Sequence, residues 1–341
     1  MPWPTEDWPT GPVPRGVGLE SLLDEVMDQD GPLALTRAAV VVHRGRLVAE
    51  RYAGTTDAWG DEPTPIGPST PLISWSMAKS MLHAVVGMLV ADGHLRLDEP
   101  VDVPAWPAGD PRSAITLEHL LTMRDGLDFA EDYDDAGASH VIEMLFGDGI
   151  GDTAAYAAGR PLAHEPGTVF NYSSGTSNIV SGIVRRTLGG GDEYRRFLFE
   201  RLFGPIGMRS ADPRFDEAGT WIASSYVWAT ARDMARFGYL YLRDGVWEGR
   251  RLLPEGWVAH GSLARSQDEQ GRRYGAHWWV VGDDLGSFWA NGYEGQSILV
   301  CPGLDLVVVR LGQHQRGREA AGGDHARHPG RQQRDAPARL S

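Results

Sequence analysis

Hydrophobic residues gather near both ends of the chain in short runs that are typical of β-strands. The segment Ala38–Tyr52 contains two such runs on either side of Arg44–Arg46, a pattern that predicts a β-hairpin. Three further runs of the same kind lie near the other end, namely HWWVVG, SILVCPG and LDLVVVRLG. The pattern therefore predicts strands from both chain ends, with a different kind of structure between them.

Helical patterns fill the middle of the chain. The segment Ser76–Gly93 is apolar on nearly every side, which predicts a buried helix that ends at Gly93. From about residue 101 to residue 266 the pattern is mostly helical, interrupted by loops that contain Gly and Pro. Helical segments in this part are Leu117–Met123, Val141–Phe146, Asn178–Thr187 and Ala231–Leu242. Thr230, with Asp233 three residues later, has the spacing of a helix start before the last of them.

These patterns predict an α/β domain made from the two chain ends, with a helical insertion. The predicted organisation is an N-terminal arm at 1–30, an α/β domain at 31–100 and 270–312, and a mainly helical domain at 101–269. Within the arm, residues 1–18 are rich in Pro and Trp and are expected to be loose.

The segment 313–341 differs from the rest in composition. Its 29 residues include six Arg and three Asp or Glu, and Leu340 is its only large aliphatic residue. It has no hydrophobic periodicity and therefore predicts disorder. Its Arg, Gly, Ala, Pro and His content also resembles an out-of-frame reading of a GC-rich gene, so a frameshift after Gly312 is the alternative hypothesis.

The charge balance narrows the choice of partners. The 341 residues include 32 Lys or Arg and 46 Asp or Glu, a formal net charge of −14. This argues against nucleic acid or an anionic membrane as the main partner.

No apolar run approaches the ~18 residues of a membrane span, and the first residues lack a signal-peptide pattern, so we expect a cytoplasmic protein. Cys301 is the only cysteine, which excludes an intrachain disulfide and a thiolate metal cluster.

The chain contains only one lysine, against 31 arginines. This residue, Lys79, lies inside the apolar segment that begins with Ser76. A helix places residues three apart on one face, where a lysine of lowered pKa could take the serine proton. The helix start also favours an oxyanion beside Ser76. The spacing alone could arise by chance, but lysine in an apolar helix is costly unless it is used.

Two later segments add candidate groups. Tyr172, in a loop before a helix expected to start near Ser177, could pass a proton between nucleophile and leaving group. A loop tyrosine is, however, more often a packing residue. Gly295 and Gln296 open a predicted strand, where a backbone N–H could complete an oxyanion hole, although alone they are an ordinary Gly-rich strand entry.

Together these segments resemble the serine β-lactamase and penicillin-binding-protein superfamily, which has Ser-x-x-Lys, then Tyr-x-Asn/Ser, then a Lys/His/Trp-x-Gly-type motif. The flanking sequences are similar to the class C-like branch of 6-aminohexanoate-dimer hydrolases and carboxylesterases; they are SWSMAKS, ITLEHLLTMRDGLDF, PGTVFNYSSG, LFGPIGM and ATARDMARFGYLYLRDG. The resemblance runs from about Leu35 to Gly312. It implies a β-lactamase/transpeptidase-like α/β fold, with a mainly antiparallel sheet flanked by helices and an all-helical domain.

The resemblance also implies roles for individual residues. Ser76 would be the acylated nucleophile, Lys79 its base, and Tyr172 the second base or acid. The backbone N–H groups of Ser76 and Gln296 would form the oxyanion hole, and water would hydrolyse the acyl-enzyme without a metal or cofactor. The substrate-binding candidates are Tyr133, Ser174, Trp289, Tyr293, Glu294 and Gly295. For Tyr133, a solvent-facing loop aromatic is an equal alternative.

The third motif departs from the family pattern. It reads Tyr293-Glu294-Gly295 and lacks the cation that faces the substrate carboxylate in β-lactamases. We therefore expect a serine hydrolase of small amides or esters with weak or no β-lactamase activity. We also hypothesise that Glu294, if it faces the cleft, repels a carboxylate or attracts an amine.

Other classes of protein have less support. The chain lacks the G-x-S-x-G elbow of α/β-hydrolases, a P-loop, a G-x-G-x-x-G fingerprint and a His-Glu-x-x-His zinc motif. The main alternative is a catalytically silent or sensor-type penicillin-binding-like protein, because a fold does not determine function. The joint presence of Ser76, Lys79 and Tyr172 favours the enzyme, and the choice between amidase and esterase stays open.

Overall fold

The computed structural model describes residues 3–28, 30, 35–56, 63–133 and 139–312. Its strands, in chain order, are β1 (Thr36–His43), β2 (Arg46–Tyr52), β3 (Thr55–Thr56), β4 (Thr64–Pro65), β5 (Leu72–Ile73), β6 (Asp212–Pro213), β7 (Val227–Ala229), β8 (Val246–Trp247), β9 (Arg250–Arg251), β10 (Ser266–Gln267), β11 (Arg273–Tyr274), β12 (Trp279–Val280), β13 (Phe288–Gly292), β14 (Gln296–Cys301) and β15 (Leu306–Gly312). Eight of them form one antiparallel sheet in the order β10-β11-β12-β13-β14-β15-β1-β2. The others pair as β3-β4, β5-β7-β6 and β8-β9.

The centre of the large sheet joins the two ends of the chain. Strand β1 pairs with β15, and Val40 lies opposite Val309 in this register. Strand β1 also pairs with β2 through the turn at Arg44 and Gly45, whose φ angles are 52° and 72°. Branched side chains of this kind suit a pleated, buried surface. The predicted hairpin and the predicted sheet from both chain ends are confirmed.

Each predicted helical segment overlaps an observed helix. The helices are α1 (Leu19–Met27), α2 (Ala78–Ala91), α3 (Leu117–Leu121), α4 (His140–Phe146), α5 (Thr153–Ala158), α6 (Ser174–Leu188), α7 (Gly191–Phe197), α8 (Ala231–Leu242) and α9 (Trp257–Ser262). Helices α1, α5, α7 and α9 lie outside the predicted segments. The first twelve residues of α2 are buried, as its apolar pattern predicted. Helix α8 has the predicted bounds, and the Thr230 hydroxyl accepts the Asp233 N–H at 3.2 Å as its N-cap.

The start of α6 differs from the prediction. The helix begins at Ser174, three residues before the expected start near Ser177. The reason is the side chain of Ser173, which accepts the Thr176 N–H at 3.0 Å and caps the helix earlier. This shift places Ser174 in the first turn of α6.

Helices cover both faces of the sheet. On one face, α8 packs so closely that a Cβ added at Gly238 would lie 2.7 Å from the side chains of Ile298 and Val307. Helices α2 and α6 contribute to the same hydrophobic core. On the other face, Leu23 of α1 packs with Val41. The predicted fold class, an α/β fold with a mainly antiparallel sheet flanked by helices, is confirmed.

The N-terminal segment is not the loose arm that its composition suggested. Trp8 is 7% exposed, and its indole N–H donates to the Arg232 carbonyl at 3.0 Å. The Arg236 guanidinium donates to the Pro4 carbonyl at 2.7 Å. The segment therefore lies against α8, because large indole rings stabilise the chain most when they are buried.

Three predictions, on the domain boundaries, the segment 313–341 and the cellular location, are not tested by the described residues. The domain boundaries stay a prediction, although α8, within the range 101–269, packs on the sheet. The segment 313–341, predicted to be disordered or frameshifted, lies outside the described residues. Over the described ranges, every helix is too short or too polar to cross a membrane. The cytoplasmic location also stays a prediction.

Candidate active site

The first motif lies where α2 begins. Ser76 belongs to a 3₁₀ turn, Trp75–Met77, that leads directly into α2, and Lys79 is the second residue of that helix. The predicted placement on one helical face is thus observed, since Lys79 Nζ lies 2.9 Å from Ser76 Oγ.

The residues directly before Ser76 shape and support this turn. Ser74 Oγ accepts the Val227 N–H at 3.0 Å and donates to the Ser225 carbonyl at 3.1 Å. Trp75 has a φ of 44°, a left-handed conformation that costs energy for a residue with a side chain and is common in functional turns. The strained turn is therefore supported by hydrogen bonds with Val227 of β7 and with Ser225, which precedes that strand.

Lys79 is 1% exposed, and its amine has three oxygen partners. Besides Ser76 Oγ, Nζ lies 3.0 Å from Ser174 Oγ and 2.9 Å from the Ser224 carbonyl oxygen. Burial lowers the pKa of Lys79 to about 8, and the negative charge of Glu131 opposes part of this shift. The lowered pKa makes the neutral amine more accessible near pH 7 than it is for an ordinary lysine.

Tyr172 also reaches this centre. Lys79 Nζ lies 4.9 Å from the centroid of the Tyr172 ring, and the Ser76 side chain opposes part of the rise in the pKa of the tyrosine. Burial, together with the charge of Glu131, raises the pKa of Tyr172 well above its ordinary value of 10.0. Tyr172 is therefore a neutral phenol near pH 7, which suits a proton donor better than a base.

Glu131 is the residue in this centre that sequence reasoning missed. Its Oε1 accepts the Ser174 hydroxyl at 2.6 Å and its Oε2 accepts the Ser174 backbone N–H at 2.8 Å. The Tyr133 hydroxyl also donates to Glu131. The only signal in the sequence was its place in the acidic segment GLDFAEDYDD, where nothing separates it from its acidic neighbours. Ser174, a substrate-binding candidate, is fully buried between Glu131 and Lys79.

The third motif forms the turn between β13 and β14. Glu294 has a φ of 60°, and its Oε2 accepts the Trp75 indole N–H at 3.1 Å. This bond joins the turn to the residue before Ser76. The adjoining Gly295 has a φ of 78°, and a Cβ there would lie 1.7 Å from Nη1 of Arg310, which donates to the Gly295 carbonyl at 2.8 Å.

Gln296 has partners that bear on the predicted oxyanion hole. Its side-chain amide exchanges two hydrogen bonds with Gly312, at 2.6 and 3.0 Å, and its backbone N–H donates to the Tyr293 carbonyl within the turn. An oxyanion would have to compete with that carbonyl, so the role of Gln296 stays a prediction. Gly292 approaches the turn that contains Ser76, since a Cβ there would lie 2.5 Å from the Ser74 carbonyl oxygen.

Aromatic rings surround these groups. Tyr133 and Tyr293 stack with their centroids 5.2 Å apart, and Trp75 contacts Tyr293 edge-on at 5.9 Å. The structure thus brings Tyr133, Tyr293 and Glu294 together around Trp75. Trp289 lies opposite Trp279 in the β12–β13 pair, and Trp279 contacts the Tyr172 ring at 5.4 Å.

Known proteins of similar sequence point to one family. The family model described as Beta-lactamase matches residues 20–330, so the chain belongs to the beta-lactamase family. The chain is 29% identical over 326 residues to the 6-aminohexanoate-dimer hydrolase of Paenarthrobacter ureafaciens, across 89% of this chain and 79% of that protein. It is 27% identical over 354 residues to an uncharacterized protein of Mycobacterium tuberculosis, across 84% and 87% of the two chains.

Solved structures share the fold. A Bacillus anthracis protein provisionally named a 6-aminohexanoate-dimer hydrolase superimposes with a TM-score of 0.70 and 23% identity, covering 92% of this chain and 84% of that one. A penicillin-binding protein homolog from Caulobacter crescentus has a TM-score of 0.66 and 21% identity, covering 90% and 94%. The predicted superfamily and its β-lactamase-like fold are confirmed, and the family together with the first relative indicates a hydrolase.

Proposed function

We propose that this protein is a serine hydrolase that cleaves small amides or esters through an acyl-enzyme on Ser76. The observation that carries the proposal is the buried amine of Lys79, 2.9 Å from Ser76 Oγ. Two N–H groups of a neutral amine are directed at the oxygens of Ser174 and Ser224, which leaves its lone pair facing the Ser76 hydroxyl. A nucleophile and its base are thus within hydrogen-bond distance.

Acylation follows from these positions. Ser76 Oγ attacks the substrate carbonyl carbon while its proton passes to Lys79 Nζ, and the carbonyl oxygen becomes an oxyanion. The Ser76 N–H, at the positive end of α2, is one donor to that oxyanion. The Gln296 N–H is the other, and it exchanges its bond to the Tyr293 carbonyl for one to the oxyanion. The Tyr172 phenol gives its proton to the leaving amine or alkoxide and recovers one from Lys79. Water then attacks the acyl carbon and gives a proton to Lys79. The bond between the acyl carbon and Ser76 Oγ breaks, the acid product leaves, and Ser76 Oγ recovers its proton from Lys79.

The substrate class rests on similarity and on the third motif. The relative from Paenarthrobacter ureafaciens is named a 6-aminohexanoate-dimer hydrolase, which favours a small amide for this chain as well. A site that attacks an amide carbonyl also attacks an ester, so we propose both activities. The carboxylate of Glu294 beside Trp75 disfavours a substrate carboxylate there, which argues for weak or no β-lactamase activity.

A burst experiment tests the proposal. Purified protein is mixed with p-nitrophenyl butyrate, release is followed, and the quenched sample is analysed by intact and peptide mass spectrometry. We expect a stoichiometric burst and a butyryl mass on the peptide that contains Ser76. Ser76→Ala abolishes both, and Lys79→Arg slows the burst by roughly a hundredfold or more, because guanidinium stays charged. Ser262→Ala, a serine on α9, serves as the control and leaves the burst unchanged.

The outcomes separate the candidate functions. Steady turnover after the burst identifies a hydrolase, and a burst without turnover identifies the sensor-type alternative. Folded protein that releases product without an adduct on Ser76 would overturn the assignment of the nucleophile.

A further inference from the structure

Glu131 is connected to the amine of Lys79 by a single hydroxyl group, that of Ser174. Ser174 Oγ lies 2.6 Å from Glu131 Oε1 and 3.0 Å from Lys79 Nζ. A hydroxyl has one hydrogen to donate, and an ionised carboxylate can only accept. The hydrogen of Ser174 is therefore directed at Glu131, and the hydroxyl presents only its lone pairs to Lys79.

These hydrogen bonds determine the orientation of the Lys79 amine. The Ser224 carbonyl, 2.9 Å from Nζ, is also an acceptor only, so two hydrogens of Lys79 are committed to Ser174 and Ser224. The remaining position on the nitrogen faces Ser76 Oγ. Without Glu131, the Ser174 hydroxyl could rotate and donate to the lone pair of Lys79, in competition with Ser76.

The backbone around Glu131 is held firmly. The Ala130 N–H donates to His140 Nδ1 at 2.8 Å, and the Ala130 carbonyl accepts the His140 N–H at 3.1 Å. The Asn171 side-chain amide donates to the Phe129 carbonyl at 3.1 Å, which ties this segment to the residue before Tyr172. The carboxylate also accepts an N–H in the first turn of α6, where the helix dipole favours negative charge. A group that is anchored in this way can orient its neighbours.

The charges around Lys79 give Glu131 a second effect. Of the titratable groups that the structure describes near the amine, Tyr172 is a neutral phenol. His277, whose Nε2 lies 2.8 Å from Ser177 Oγ, is also neutral, because burial and the nearby Lys79 lower its pKa to about 3. Glu131 is then the anion that stabilises the ammonium once Lys79 has taken the serine proton.

We propose that Glu131 is a positioning residue for this site: through Ser174 it directs the lone pair of Lys79 at Ser76, and its charge balances the ammonium. The inference rests on the proposed function. It assigns Glu131 no contact with the substrate.

The test compares Glu131→Gln with the wild-type protein, and uses the exposed Glu165→Gln as a matched control. The dependence of kcat and kcat/KM on pH is measured with p-nitrophenyl butyrate, from about pH 6 to about pH 10. Loss of the negative charge disfavours the ammonium, so the pKa of Lys79 falls and the rising limb of the profile moves to lower pH. We expect kcat to fall between about tenfold and a hundredfold, with KM nearly unchanged. Glu131→Asp keeps the negative charge, so its rising limb should lie closer to the wild-type position than that of Glu131→Gln.

A second comparison isolates the path through Ser174. In the Ser174→Ala background, Glu131→Gln should lower kcat much less than in the wild-type background, because the two residues act as a unit. If Glu131 had only a structural role, Glu131→Gln would reduce the folded fraction and leave the rising limb of the pH profile in place. Its effect would then add to that of Ser174→Ala. If Glu131→Gln does not fold, the test uses Ser174→Ala alone. A wild-type kcat in Ser174→Ala overturns the inference.

The results also distinguish this inference from the proposed function. If the wild-type protein forms no adduct on Ser76, the proposed function itself has failed. If Ser76 is acylated but folded Glu131→Gln has the wild-type kcat and pH profile, only the role of Glu131 is wrong.

Discussion

Two neighbouring turns of the site contain residues in the left-handed region of backbone space. Trp75, with φ 44°, precedes Ser76, and Glu294, with φ 60°, lies in the turn after β13. The hydrogen bond between them places a carboxylate beside an indole ring that also contacts Tyr293. Aromatic faces next to a carboxylate attract cations. The geometry therefore supports the hypothesis, first drawn from the sequence, that this side of the site favours an amine over a carboxylate.

A matched pair of esters tests this preference. Butyrylcholine and 3,3-dimethylbutyl butyrate have the same shape and differ by one positive charge. We expect wild-type protein to prefer the choline ester in kcat/KM, and Glu294→Gln to reduce that preference roughly threefold to tenfold, because a partly exposed charge pair contributes about 1 kcal/mol. Glu165→Gln is the control. An unchanged ratio in folded Glu294→Gln protein would mean that Glu294 does not select substrates by charge.

At the scale of elements, the site depends on how closely helices approach the sheet. Gly238 lies on the α8 face that meets Ile298 of β14 and Val307 of β15. Strand β14 begins directly after the turn that contains Glu294. A change in the spacing between α8 and the sheet would therefore strain the strand that leads to the site.

Gly238→Ala tests this packing. The added methyl group would meet two branched side chains at 2.7 Å, so the helix or the strands must shift. We expect a loss of roughly 1 to 3 kcal/mol in the free energy of unfolding, only partly offset by the better helix propensity of alanine. Urea denaturation measures it. Gly67→Ala, whose methyl group enters open space, is the matched control and should be close to neutral. Equal stability of the two variants would show that α8 has room to adapt.

At the scale of the whole molecule, residues far apart in sequence close the fold. The sheet joins β1 to β15, and the N-terminal segment lies against α8. Trp8 is the largest buried side chain of that segment, with an edge-on contact to Tyr239 at 5.8 Å. It contacts none of the catalytic candidates, so its contribution is to stability.

Trp8→Ala should lower the free energy of unfolding by roughly 3 kcal/mol, because it removes a buried indole and leaves a cavity. Thermal unfolding, followed by circular dichroism, measures the change. The acyl stoichiometry per folded molecule should stay at the wild-type value. Leu22→Ala, at a site that is 55% exposed on α1, should change stability by no more than about 0.5 kcal/mol. A wild-type melting temperature for Trp8→Ala would mean that the segment detaches in solution.

The sequence by itself determined the features that depend on neighbours along the chain. The hairpin, the burial of α2 and the bounds of α8 follow from hydrophobic periodicity and capping, which act over a few residues. The Ser76–Lys79 pair belongs to the same class, because a helical turn brings residues three apart into contact. The order of the three motifs was sufficient to predict the superfamily.

Only the tertiary structure decided the contacts between distant segments. Glu131 and Ser174 are 43 residues apart, and Trp75 and Glu294 are 219 apart, so no local pattern reveals either pair. The pKa of Lys79 falls to about 8 because the folded chain removes water from around the amine, and burial is a property of the whole molecule. The packing of Trp8 was missed for a related reason, because it depends on a partner 224 residues away in the folded state. The early start of α6 is different, since the cap by Ser173 is a local feature that the hydrophobic pattern alone does not show.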